Sequence, residues 1–112
     1  MTQSELPVVK AELFRALAHP TRIRILELLT TGERTVQDIH GTLGLTQSVV
    51  SQQLAILRAR LVVTSRRAGS ASYYALRSPL IGDLLGVARN FLNQRFTASQ
   101  SILRELRREV RR

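Results

Sequence analysis

Thr46-Gln47-Ser48-Val49-Val50-Ser51-Gln52-Gln53-Leu54-Ala55-Ile56-Leu57-Arg58 is the stretch on which the reading of this chain turns. Val50, Leu54, Leu57 and the following Leu61 recur at helical spacing and form an apolar face. Gln47, Ser48, Ser51 and Gln52 fall on the other face, toward the N-terminal half. These side chains are short, neutral and able both to donate and to accept hydrogen bonds, which suits the base edges of a DNA major groove. No acidic side chain occurs from residue 39 to residue 82, so nothing near this helix repels phosphate. The competing reading of the same face is an ordinary solvated helix surface.

Working outward toward the C-terminus, Leu61-Val62-Val63-Thr64-Ser65-Arg66-Arg67 and Ala71-Ser72-Tyr73-Tyr74-Ala75-Leu76 flank a turn at Ala68-Gly69-Ser70. Two β-branched or aromatic runs around a glycine turn predict a hairpin, with Arg66 and Arg67 near its tip. A helix followed directly by a basic hairpin is the order of a winged helix-turn-helix. There the helix enters the major groove and the hairpin reaches the flanking backbone. Alternation turns only one ring of Tyr73-Tyr74 outward, which argues for strand packing over a base-stacking platform.

Toward the N-terminus, Gly44 turns the chain into Thr46, a side chain suited to capping the reading helix. Thr35 through Leu43 predicts a short helix, with Thr35 and Asp38 spaced as a capping box of the weaker aspartate type. Thr31-Gly32 ends a preceding helix in which Ile23, Ile25, Leu26, Leu28 and Leu29 cover most of the circumference, so that helix is expected at the centre. Pro20 opens it and closes a first helix carrying Val9, Leu13, Phe14 and Leu17. Residues 1–7 are expected to be a mobile arm and residues 8–112 one winged-helix and dimerisation domain. Ser78-Pro79 opens a final helix of roughly thirty residues, long beyond the ordinary globular range. Leu84, Ala88, Phe91, Leu92, Phe96, Ile102, Leu103 and Leu106 form its stripe. Thr97-Ala98-Ser99 is its weakest stretch and a candidate bend.

The chain has 112 residues and a formal net charge of +9, and all of its 17 basic residues except Lys10 are arginine. That balance favours a polyanionic partner, and the modest core of so short a chain favours dimerisation. The absence of cysteine excludes disulfides, thiolate metal sites and thiol redox sensing by this chain. No signal-peptide pattern or apolar run of membrane-spanning length occurs, so a cytoplasmic location is expected. No nucleophile elbow, phosphate-cradling glycine loop or His-Glu-x-x-His motif is present, and an enzyme is not expected. The basic end Arg104-Glu105-Leu106-Arg107-Arg108-Glu109-Val110-Arg111-Arg112 leaves open a different class, a non-DNA adaptor that docks an acidic partner.

Three segments together resemble the ArsR/SmtB family of bacterial transcription regulators: Phe14-Arg15-Ala16-Leu17-Ala18-His19-Pro20-Thr21-Arg22-Ile23-Arg24-Ile25-Leu26-Glu27-Leu28-Leu29, the helix from Gln47 to Arg58, and Arg66-Arg67-x-Gly69-x-x-x-Tyr73-Tyr74-x-Leu76. The resemblance covers residues 11 to 92. It implies a mainly α fold with a small β-hairpin and a homodimer formed by the first and last helices, through Leu13, Leu17, Leu84, Ala88, Phe91 and Leu92. It further implies a palindromic operator as double-stranded DNA partner, with Gln47, Ser48, Ser51 and Gln52 meeting bases, Thr46, Arg66 and Arg67 meeting phosphates, and Gly69 allowing the wing turn. Family members also respond to an effector, often a metal. Their Cys-x-Cys-Asp site corresponds here to Thr35-Val36-Gln37-Asp38, and their terminal-helix site to Ser78-Pro79-Leu80 and to Phe91, Asn93 and Gln94. Neither can ligate in the family's manner, so no metal and no cofactor is expected. The signal is left to a small molecule, a partner sensor protein or an unusual His and carboxylate site. His40 and Asp38, two apart on a helix, do not share a face. His19, just before a helix-opening proline, reads as a local cap. Many relatives carry glycine after the reading helix where this chain has Leu61, so a left-handed terminus there is expected to be strained.

Overall fold

The computed structural model describes residues 5–110. The element order is α1 (Leu6–Leu17), α2 (Pro20–Leu29), β1 (Arg34–Thr35), α3 (Val36–Leu43), α4 (Gln47–Ala59), β2 (Val63–Ala68), β3 (Ala71–Leu76) and α5 (Pro79–Val110). The strands form one antiparallel sheet in the order β1-β3-β2. The chain divides into two compact units, Met1–Gly82 and Asp83–Arg112, where the sequence predicted a single domain from residue 8 onward.

The core of the first unit comes from every one of its helices. Ile25 and Leu26 of α2, Ile39 of α3 and Val50, Leu54 and Leu57 of α4 are fully buried, joined by Ala16, Leu17 and Leu29. The expected centrality of α2 therefore holds. Leu17, which the resemblance placed at the dimer interface, is only 6% exposed and serves this core. No polar or charged side chain is buried among the described residues, so the core has no unpaired polar group to offset.

Helix ends follow from local chemistry. Pro7 lies in the first turn of α1, where its missing N–H costs nothing. Helix α1 thus begins at Leu6, inside the segment expected to be an arm, and the rest of that expectation, residues 1–4, lies outside the described residues. Thr35 accepts a hydrogen bond from the Asp38 N–H at 3.1 Å and caps α3. Gly44 closes α3 in the left-handed region at φ 68°, a conformation open to glycine at little cost. The Leu45 N–H bonds back to the His40 carbonyl at 3.1 Å, tying down the turn into α4.

The exit from α4 differs from the periodic reading. Leu61, assigned to the buried face by spacing, is 62% exposed, and Val62 and Val63 are buried instead. The cause is the helix terminus. Leu61 has φ 61° and is the one non-glycine residue with positive φ among the described residues. The Leu61 N–H bonds to the Arg58 carbonyl at 3.0 Å and the Val62 N–H to the Leu57 carbonyl at 2.9 Å. That pair of bonds is a Schellman terminus, with leucine where glycine is preferred. The left-handed residue shifts the phase of the chain and delivers two consecutive valines to the core. The strain anticipated at Leu61 is present.

The predicted hairpin forms with Val63 opposite Leu76, Arg66 opposite Tyr73 and Arg67 opposite Ser72. Its two-residue turn has Gly69 at φ 63°, the position where such turns use glycine. A third strand escaped the sequence reading: Arg34 and Thr35 pair with Tyr74 and Tyr73. Within the first unit, a Cβ at Gly82 would stand 3.2 Å from Thr30 Cγ2, so the first turn of α5 seats closely on the end of α2.

In the second unit α5 continues without a break through Thr97-Ala98-Ser99 to Val110. Ser99 and Ser101 donate to the Arg95 and Thr97 carbonyls, each at 3.1 Å, which satisfies their hydroxyls within the helix. A single helix cannot cover its own apolar stripe. Phe91, Leu92, Phe96, Ile102, Leu103 and Leu106 are accordingly exposed.

Candidate nucleic-acid interface

Helix α4 separates its two faces as cleanly as its sequence suggests. Val50, Leu54 and Leu57 point into the core, while Gln47, Ser48, Ser51 and Gln52 are exposed. At about 100° per residue, these four side chains span an arc of roughly 140°. Thr46 has an extended backbone and accepts a hydrogen bond from the Val49 N–H at 3.3 Å. The cap starts the helix sharply and leaves Gln47 and Ser48 in its first turn, where unpaired backbone N–H groups and the helix dipole favour an anion.

Two arginines outside this face hold it in place, and neither was singled out by sequence. Arg22 of α2 donates from Nε to Oε1 of Gln53 on α4 at 2.8 Å, and from Nη1 to the Ala16 and Arg15 carbonyls of α1 at 3.3 and 3.5 Å. One guanidinium thus links the end of α1 to the flank of α4. Arg24 donates to the Leu43 carbonyl at 2.8 Å and secures the end of α3. His19 accepts from the Thr21 N–H at 3.1 Å through Nδ1, which makes it the cap of α2.

The wing separates its two arginines. Directly opposed residues in an antiparallel pair share a face, and neighbours along a strand alternate. Arg66 therefore lies on the face of Tyr73, and Arg67 on the face of Ser72. The Arg66 guanidinium sits 4.7 Å from the centre of the Tyr73 ring. It also engages Glu33 through a two-pronged contact, Nε to Oε2 at 3.0 Å and Nη2 to Oε1. The hydrogen bond from Arg66 holds the Glu33 carboxyl below its ordinary pKa, opposed by desolvation and aided by charge attraction. The reciprocal bond raises the Arg66 pKa. Arg67 is exposed, and its register partner Ser72 lines the same surface concavity as Gln47, together with Thr35, Gln37 and Ser70.

Leu13 is 42% exposed, Phe91 63% and Leu92 44%, while Leu84 is half-buried and Ala88 exposed. Among the described residues no group of three His, Asp or Glu side chains could hold a metal ion. No helix among them is long and apolar enough to cross a membrane.

A capped helix with an exposed amide and hydroxyl face, preceded by a short helix and followed by an antiparallel wing, defines a winged helix-turn-helix DNA-binding protein. Residues 19–63 match the family described as bacterial regulatory protein, arsR family. The HTH-type transcriptional regulator Rv0081 of Mycobacterium tuberculosis is 44% identical over 108 residues, 96% of this chain and 95% of the relative. Its crystal structure superposes with a TM-score of 0.76 at 46% identity, over 83% of this chain and 94% of that one. The transcriptional repressor SdpR of Bacillus subtilis is 33% identical over 73% of this chain and 91% of its own length. The homodimeric winged helix-turn-helix DNA-binding domain Mb0332 of Mycobacterium bovis gives a TM-score of 0.76 at 26% identity, over 86% of this chain and 91% of that one. The chain belongs to the ArsR family of bacterial transcriptional regulators.

Proposed function

We propose that this regulator acts as a homodimer in the cytoplasm and represses transcription by occupying an imperfect palindromic operator. The observation that carries the reading is the exposed, acid-free face of α4. Gln47, Ser48, Ser51 and Gln52 meet base edges, Thr46 and Arg67 meet flanking phosphates, and Gly69 permits the turn that presents the wing. The exposed stripe of α5 around Phe91 and Leu92, with Leu84 and Ala88 beside it, and the exposed Leu13 of α1 supply the dimer surface. Two copies then present two reading helices related by a two-fold axis, which the homodimeric domain of Mycobacterium bovis supports. The controlling signal reaches the dimer through a small molecule or a partner sensor protein, since the chain's counterparts of the family's ligand positions carry no thiol, imidazole or paired carboxylate.

Selection of binding sites from a random duplex library, followed by footprinting, tests the reading. The expected product is a site with two half-sites one or two helical turns apart. If each protomer neutralises three or four phosphates, log affinity falls against log salt with a slope of about −5 to −7. A flat salt response would favour the adaptor alternative, and a single asymmetric footprint would exclude the two-fold arrangement.

A further inference from the structure

We propose that Glu33 withholds Arg66 from the DNA backbone, making Arg66 a brace that fixes the wing and leaving Arg67 as the wing's phosphate-contacting arginine. The proposal rests on the DNA-binding reading of the wing and adds a division of labour between two adjacent arginines that look equivalent in sequence.

Three observations converge on it. Strand alternation places Arg66 and Arg67 on opposite faces of the wing, and Arg67 is exposed, with its opposed residue Ser72 lining the concavity that Gln47 also lines. The Arg66 guanidinium is occupied on its edge by both carboxylate oxygens of Glu33 and on its plane by the Tyr73 ring. The fork uses two of the five guanidinium N–H donors and pairs the charge with a carboxylate, so a phosphate at the remaining donors would meet an ion pair with no net charge. Glu33 stands immediately before β1, whose Thr35 pairs with Tyr73. The contact therefore ties the loop after α2 to both strands of the hairpin, on the side away from Ser72. Glu33 is also charged, so each Glu33–Arg66 pair is neutral and adds nothing to the wing's attraction for a polyanion. The placement of a carboxylate there reads as a device that limits sequence-independent binding while holding the wing angle.

The test is the slope of log affinity against log salt on one selected operator, for Arg66→Gln, Arg67→Gln, Glu33→Gln and the double variant Glu33→Gln/Arg66→Gln. Each phosphate contact contributes about 0.9 to the slope, so one contact per protomer is about 1.8 per dimer. Arg67→Gln should flatten the slope by that amount and Arg66→Gln should leave it unchanged. Glu33→Gln should steepen it by up to about 1.8 by freeing Arg66, and adding Arg66→Gln should abolish the gain. Glu27→Gln, which removes an equal charge from the exposed side of α2, should not reproduce the steepening. Flattening by Arg66→Gln alone would overturn the proposal, because Arg66 would then be on a phosphate despite Glu33. So would equal steepening by Glu27→Gln and Glu33→Gln, which would assign the effect to net charge. If no arginine variant moves the slope, the wing does not touch the backbone, and the failure lies with the wing's DNA role.

Discussion

Replacing Leu61 by glycine and, in parallel, by alanine separates the strain at the exit of α4 from the packing of the leucine itself. Leu61 has φ 61°, and a left-handed backbone costs a residue with a Cβ roughly 1 to 2 kcal/mol. Glycine relieves that cost, but it raises the entropy of the unfolded chain, which takes back about 0.5 to 1 kcal/mol. Both variants lose the same leucine side chain, already 62% exposed in the protomer, so that loss cancels between them. The glycine variant should therefore be more stable than the alanine variant by about 0.5 to 1 kcal/mol. At an ordinary helix position the order is the reverse, with alanine favoured by about 1 kcal/mol. Denaturant melts with matched slopes read the difference directly. Equal stability, or alanine ahead of glycine, would refute the strain assignment. It would also undercut the Schellman geometry that turns the chain from α4 into the wing.

Phe91→Ala with Leu92→Ala should loosen the dimer, each truncation costing ~2 to 5 kcal/mol if the side chain is buried by the second copy. Operator affinity should then fall far more than half-site affinity, and sedimentation showing an intact dimer with unchanged operator binding would place the interface elsewhere. The Glu33 carboxyl should titrate below the ordinary glutamate range in an NMR titration and return to that range in Arg66→Gln. Because its folded pKa is depressed, the pairing is present at and above the ordinary carboxylate range and is lost as pH falls through the lowered value. An unshifted Glu33 in the wild-type chain would contradict the contact.

Much of the fold was legible because its signals are local. The alternation of faces along α4, the capping threonines Thr35 and Thr46, the glycine at the wing turn and the length of α5 all depend on residues within a few positions of one another. Strand β1 was not legible, since Arg34 and Thr35 are too few to display a period and become a strand only by pairing with β3. The buried face after α4 was misread at Leu61 because the periodic pattern assumes a continuing helix. A single left-handed residue resets the phase and buries Val62 and Val63. Leu17, which the resemblance places at the dimer interface, is buried in the core, because spacing identifies an apolar face without saying what covers it. The pairing of Arg66 with Glu33 and of Arg22 with Gln53 joins residues 33 and 31 positions apart. Nothing in the local sequence distinguishes these arginines from their neighbours, so the different surroundings of Arg66 and Arg67 emerge only from the sheet register and the contact with Glu33.

Binding of Gln52→Ala to a selected operator and to a random duplex, at one fixed salt concentration, tests most directly whether the exposed face of α4 reads bases. Gln52 is exposed on that face, and a bidentate side-chain contact to a base contributes about 1 to 3 kcal/mol of discrimination. The operator complex should weaken by that amount, roughly 5- to 150-fold, while the random duplex binds as before. Equal weakening on both duplexes would show that this face grips the backbone, and the assignment of sequence recognition to α4 would fail.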